Sequence, residues 1–91
     1  MRLISQDGEI DVPYEHGSLC QGFIKGEEYL IYTISYYNYS SQKGTKLAEY
    51  NSKAKALKVM EMLREEYLAT VYDYRTRPKV FKFPADDEVE V

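Results

Sequence analysis

Residues 29–37 (YLIYTISYY) constrain the fold more than any other part of this sequence. Every position in this run holds an aromatic residue, a β-branched residue, Leu or Ser, which is the composition of a β-strand. Because side chains alternate along a strand, one face carries Leu30, Tyr32, Ile34 and Tyr36. We expect this face to line the core and the opposite face to be half-exposed.

The segments on either side predict shorter strands. Residues 2–5 and 10–12 flank an Asp7-Gly8 pair, which favours a hairpin turn because its central positions need positive φ. Pro13 has no N–H to donate, so the second of these strands ends there or lies at a sheet edge. Further strands are expected at residues 18–24 and 46–50, and residues 80–83 are a candidate for a final strand.

One helix is predicted from residue 53 to about residue 68. Asn51 or Ser52 can cap its N-terminus by accepting a hydrogen bond from a first-turn N–H. Apolar residues recur at intervals of three or four, as on a helix that packs on a core. They are Ala56, Met60, Leu63, Tyr67 and Val71. Val59 and Met62 lie on the flanks of this stripe and either complete the edge of the core or form part of a homodimer contact.

Together these elements predict an α+β fold, in which an antiparallel sheet of about five strands packs against one helix. The sheet consists of the N-terminal hairpin followed by a meander, with a short final strand as an addition. A chain of 91 residues can bury one modest core. We therefore expect a single domain over residues 1–84 and a flexible acidic tail over residues 85–91.

Charge, hydropathy and cysteine content argue against several classes of protein. The net charge of −3 is uneven, at −4 over residues 1–40, +5 over residues 41–82 and −4 over residues 83–91. This balance argues against a dedicated duplex-DNA binder, which needs a concentrated cationic surface. No apolar run approaches the length of a membrane span. A single cysteine permits no intrachain disulfide, so we expect a reducing cytoplasm.

The usual catalytic and ligand-binding motifs are missing from the sequence. His16 and Cys20 are the only histidine and cysteine, and their spacing in a predicted strand does not favour a nucleophile–base pair. The acidic residues of 7–11 resemble a calcium loop but lack its glycine and its final glutamate. No glycine-rich loop precedes a helix. We therefore expect no catalytic residues, no cofactor and no metal.

Tyrosine is the main anomaly of the composition. The chain has ten tyrosines and no tryptophan, and nine of the ten tyrosines lie between residues 29 and 74. They are either residues at the rim of the core, or a surface for protein contact or self-association, or a platform on which unpaired bases stack. The candidate interaction surface contains Tyr37, Tyr39, Lys43, Lys46, Val59, Met62, Arg75 and Arg77.

Four parts of the chain resemble a group of small phage and prophage proteins of Firmicutes. They are the opening MRLISQDG with DVPYE, the stretch AEY at residues 48–50, the helix residues KAKA and MEMLR, and the closing FKFP. This resemblance implies an accessory protein of a mobile element in a bacterial cytoplasm. It brings no catalytic or binding residues with it.

These observations favour a non-enzymatic accessory protein that acts by contact with an unidentified protein partner or with itself, a homodimer being plausible. The alternative is single-stranded nucleic-acid binding, in which Tyr37 and Tyr39 would stack on bases. In that alternative four cations would follow the phosphates. They are Lys43, Lys46, Arg75 and Arg77.

Overall fold

A computed structural model describes residues 1–41, 43–72 and 80–91 of the chain. In chain order its elements are β1 (Arg2–Ile4), β2 (Asp11–Pro13), β3 (Gly17–Lys25), β4 (Leu30–Asn38), β5 (Gly44–Tyr50), α1 (Lys53–Tyr72) and β6 (Val80–Lys82). Two short 3-10 helices lie at Tyr14–His16 and Asp86–Glu88. The prediction of an α+β fold is confirmed.

The strands form two three-stranded sheets, so the prediction of one five-strand sheet is wrong. One sheet has the order β2-β1-β6 and the other the order β3-β4-β5. β1 pairs antiparallel with β2 on one side and parallel with β6 on the other. The N-terminal hairpin therefore forms a sheet with β6 and is not continuous with the meander. The 3-10 helix at Tyr14–His16 separates β2 from β3, so the chain leaves the first sheet before it starts the second.

The N-terminal hairpin turns where the sequence predicts. Gly8 has a φ of 80°, and its N–H donates to the Ser5 carbonyl at 2.9 Å. Asp7 stabilises the same turn because its carboxylate accepts from the Ser5 hydroxyl at 2.5 Å and from the Glu9 N–H at 2.9 Å. Pro13 lies in β2, an edge strand, as the sequence predicts.

The second sheet is built on β4, which pairs with β3 over nine residues without a break. β5 pairs on the other side of β4, with a bulge between Ile34 and Ser35. We call the face that carries Ile34 and Tyr36 the inner face, since both side chains are buried there. Leu30, which was expected in the core, is exposed because it lies near the end of the hairpin.

The core lies between the inner face, the first sheet and α1. The helix packs on β4 and β5 and buries Ala56, Val59 and Leu63. The first sheet and the segment after β6 contribute side chains that the sequence did not place in the core. These are Leu3, Phe81, Phe83 and Val89.

α1 begins as predicted. The Ser52 hydroxyl accepts from the Lys55 N–H at 3.2 Å, so Ser52 is the capping residue. Within the described ranges, no helix combines the length and the apolar character needed to cross a membrane.

The acidic C-terminal segment is attached to the rest of the domain. Val89 is buried, and the Asp86 carboxylate accepts from the Asn51 N–H at 2.7 Å and pairs with the Lys55 ammonium at 3.1 Å. The expectation of a solvated tail therefore does not hold for Asp86 and Val89.

Candidate protein-interaction surface

The residues predicted from the sequence lie in separate parts of the structure. Val59 is completely buried, so it belongs to the core and its assignment to an interaction surface is wrong. Met62 is half-buried and packs against the same core, beside β6. Arg75 and Arg77 lie outside the described residues.

The two candidate tyrosines do not form one platform. Tyr37 lies on the outer face of the second sheet, where its ring occupies the space above Gly44. Tyr39 follows β4 and lines a groove beside α1. Lys43 is exposed, whereas Lys46 forms an ion pair with Glu49. Nucleic-acid binding by these residues stays a prediction.

The backbone of β3 presents an open row of hydrogen-bonding groups. The Tyr39 N–H donates to the His16 carbonyl at 3.1 Å, and the Gly26 N–H donates to the Tyr29 carbonyl at 3.0 Å. Because hydrogen-bonded positions alternate in an antiparallel pair, the even-numbered residues of β3 face β4. The odd-numbered residues face away from the sheet. They are Gly17, Leu19, Gln21, Phe23 and Lys25.

We call these five outward-facing residues the open edge. β3 is the first strand of its sheet, and within the described residues no group donates to or accepts from the outward backbone groups of the open edge. The strand contains no proline, no bulge and only one charged residue, Lys25 at its end. It therefore lacks the features by which natural edge strands avoid pairing with another chain.

The opposite edge of the same sheet is closed by Gln6. Its backbone N–H donates to the Leu47 carbonyl at 2.8 Å. Its side-chain amide accepts from the Glu49 N–H at 3.0 Å and donates to the Glu49 carbonyl at 3.0 Å, as a neighbouring strand would. The same amide nitrogen donates to the Pro84 carbonyl at 3.1 Å. Gln6 thus joins the two sheets and satisfies the outward backbone groups of β5 at Leu47 and Glu49.

The strands at the edges of the first sheet are protected by their length and composition. β2 and β6 are three residues long. Pro13 lies in β2, and Lys82 is an exposed charge in β6. Among the described strands, β3 is thus the long edge without protection.

Apolar side chains are exposed where the β3–β4 hairpin extends beyond the helix. Phe23 is 68% exposed and Ile24 is 49% exposed, and these neighbours point to opposite faces of the strand. Tyr29 and Leu30, at the start of β4, are exposed as well. We call these four residues the hairpin tip. Both faces of the hairpin tip thus offer exposed apolar side chains for contact with another molecule.

A groove runs along the inner side of β3, between this strand and α1. Tyr14 and Tyr67 meet across its floor with ring centroids 4.6 Å apart. We call it the tyrosine groove, and its main lining residues are Tyr14, Leu19, Tyr39, Met60, Arg64 and Tyr67. Aromatic and aliphatic side chains line much of it, and Glu15 and Arg64 add one charge of each sign, so it can receive an apolar or aromatic side chain.

Two phenols lie at the base of this region, the buried Tyr36 and the half-buried Tyr14. The Tyr36 hydroxyl donates to the Pro13 carbonyl at 2.6 Å, which ties the segment before β3 to β4. Burial raises the pKa of Tyr36. Burial and the neighbouring Tyr67 also raise the pKa of Tyr14. Both phenols therefore remain neutral at physiological pH, and the Tyr36 hydroxyl keeps its proton for the bond to Pro13.

The open edge was missed in the sequence because an edge is a property of the topology. A signal was present, since Phe23 and Ile24 are adjacent apolar residues in a strand that has two glycines and a single terminal charge. The described ranges contain no group of three or more His, Cys, Asp or Glu side chains that could hold a metal ion. Comparison of the chain with protein-family models, with curated proteins and with solved structures gave no match.

Proposed function

We propose that this protein is a non-enzymatic interaction module that binds another polypeptide along the open edge. The observation that carries the proposal is the nine-residue strand β3, whose outward backbone groups have no partner among the described residues and whose apolar end is exposed. Addition of a strand to such an edge is a general mode of peptide recognition, in which backbone hydrogen bonds supply affinity and side-chain pockets supply specificity.

The contrast between the two edges of the second sheet supports this proposal. Gln6 binds the edge of β5 through its side-chain amide. Both polar atoms of this amide have hydrogen-bond partners. In the part of the chain that the structure describes, no residue closes the edge of β3 in this way, although β3 is the longer of the two strands. A chain that protects one edge and leaves a longer edge with a single charge at its end is suited to pairing at the unprotected side.

The tyrosine groove and the hairpin tip would supply the specificity. They lie at the two ends of β3, the groove next to Leu19 and the tip at Phe23. A strand added at the open edge would place its own inward side chains beside the groove. In the setting that the N-terminal resemblance implies, the protein would act as an accessory factor of a phage or prophage in a bacterial cytoplasm.

Site-specific photocrosslinking tests the proposal. A benzophenone amino acid replaces Phe23 in the full chain, and the labelled protein is irradiated in a Firmicutes cytosolic extract. Because Phe23 lies on the open edge, we expect discrete crosslinked polypeptides. A second labelled protein carries the probe at Lys58, an exposed position on α1, as the matched control.

The dependence on backbone pairing is tested by Gln21→Pro. This change removes one outward N–H and leaves the hydrogen bonds to β4 in place, since Gln21 is an odd-numbered residue. We expect it to abolish the crosslinks from position 23, whereas Gln21→Ala, which keeps the N–H, should preserve them. Equal crosslinking from positions 23 and 58, or crosslinks that persist in Gln21→Pro, would show that the open edge is not the binding site.

A further inference from the structure

We infer that the polypeptide bound at the open edge is a second copy of this chain, paired antiparallel through β3 with Gln21 on the two-fold axis. This inference rests on the proposed function. A dimer of this kind would join the two β3–β5 sheets into one six-stranded sheet.

The hydrogen-bonding pattern selects this register. Two copies of β3 related by a two-fold axis must pair odd-numbered residues with odd-numbered residues, because only those present their backbone outward. When Gln21 meets Gln21 of the second copy, Leu19 lies opposite Phe23 and Gly17 opposite Lys25. All five outward residues are then paired in both copies. Shifting the pairing by one step, to an axis at Cys20 or at Gly22, leaves one outward residue of the open edge without a partner.

The side chains in this register are complementary. Phe23 of the second copy stands opposite Leu19 on the inner face, where directly opposed side chains lie about 5 Å apart. Leu19 is half-buried and lines the tyrosine groove. The exposed Phe23 ring therefore reaches the tyrosine groove of the second copy. The two-fold axis repeats this contact at the other end of the strand.

The charges are compatible with self-pairing as well. Lys25 is the only charged residue of β3, and it lies at one end of the strand. Antiparallel pairing places it opposite Gly17 of the second copy, close to Glu15 and away from the second Lys25. No like charges face each other along the paired strands, which is the arrangement that stabilises cross-strand pairs.

Sedimentation equilibrium of the purified full chain tests the dimer. We expect a concentration-dependent dimer in the wild type. Phe23→Lys should raise its dissociation constant about tenfold or more, because two symmetric apolar contacts are lost. Leu57→Lys is the matched control, since Leu57 is an exposed apolar residue of α1 that belongs neither to the tyrosine groove nor to the hairpin tip, and its dissociation constant should stay within about twofold of the wild type.

Engineered disulfides test the register of the two β3 strands. In a Cys20→Ser background, Gln21→Cys places two cysteines across the axis at a Cα separation of about 5.5 Å, which a disulfide can span. Mild oxidation should link this variant into a covalent dimer. The control, Cys20→Ser with Phe23→Cys, should remain unlinked because its two cysteines lie about 13 Å apart along the strands.

Each outcome distinguishes the inference from the proposed function. A monomer at about 1 mM, where even an association of about −4 kcal/mol is half complete, would overturn the second copy as the partner. Crosslinks from position 23 to a different polypeptide, abolished by Gln21→Pro, would then leave the proposed function intact. A dimer that is linked through native Cys20, or through position 23 but not position 21, would overturn the register and with it this inference.

Discussion

Gln6→Ala is expected to destabilise the protein more than any other single change of an exposed or half-exposed polar side chain described above. It removes three side-chain hydrogen bonds, two to the backbone of Glu49 and one to the Pro84 carbonyl. At about 0.5–1.5 kcal/mol for each bond, and with partial access of water to the half-buried site, the loss is about 2–4 kcal/mol in the free energy of unfolding. For a domain of this size, Tm should fall by about 10–20 °C.

Urea and thermal unfolding followed by circular dichroism would measure this loss. Gln21→Ala is the matched control, because Gln21 is exposed and its side chain makes no hydrogen bond among the described residues. We expect Gln21→Ala to change the free energy of unfolding by less than about 0.5 kcal/mol. If Gln6→Ala unfolds within the same narrow margin of the wild type, then Gln6 does not join the two sheets and the explanation of the closed edge is incorrect.

Three further predictions concern pH, packing and nucleic acid. Burial, assisted by the charges of Asp86 and Glu88, raises the pKa of Tyr50 above 10, so the folded state disfavours the phenolate and the wild type should lose stability as the pH rises above 10. Tyr50→Phe should lose about 1 kcal/mol at neutral pH and show a flatter decline above pH 10 in urea titrations; an unchanged slope would contradict the assignment. Gly17→Ala should cost about 1–3 kcal/mol because the added Cβ would lie 2.5 Å from the Tyr36 ring, whereas Gly22→Ala should be tolerated, and equal Tm values for the two variants would refute this packing argument. If the exposed tyrosines bind single-stranded nucleic acid, Tyr39→Ala should weaken the binding of a labelled oligonucleotide in fluorescence anisotropy at low salt by about tenfold, and absence of binding by the wild type would end that hypothesis.

The local patterns of the sequence predict the elements of the fold well. The run at residues 29–37 is β4 apart from one position at each end, and the Asp7-Gly8 turn and the Ser52 cap lie where the local chemistry requires them. These features depend on residues close to one another in the chain. Their energetics are therefore visible in a short window of sequence.

The pairing of the strands could not be predicted in the same way. β1 is joined to β6 by contacts such as that between Leu3 and Phe81, and no local pattern specifies which strand occupies the second edge of β1. The same long-range pairing moves β3 from the interior of the expected sheet to an edge. An exposed edge can be recognised only when the strand order is known. The candidate surface could therefore not be predicted from the periodicity of hydrophobic residues. Met62 was predicted from its position on the helix, and Tyr39 and Lys43 from the tyrosine-rich and basic composition of their region. The structure does not bring these three residues together.

The parallel pairing of β1 with β6 also bears on the order of events during protein synthesis. β1 leaves the ribosome long before its partner, because Val80 is made 78 residues after Arg2. At a translation rate of about 5–20 residues per second, the second edge of β1 has no partner strand for roughly 4–16 s. The antiparallel β3–β5 sheet needs only neighbouring segments and is complete in the nascent chain by Tyr50. We therefore expect this sheet to fold first. The open edge of β3 would then be available to a second polypeptide before β6 has been synthesised and has paired with β1.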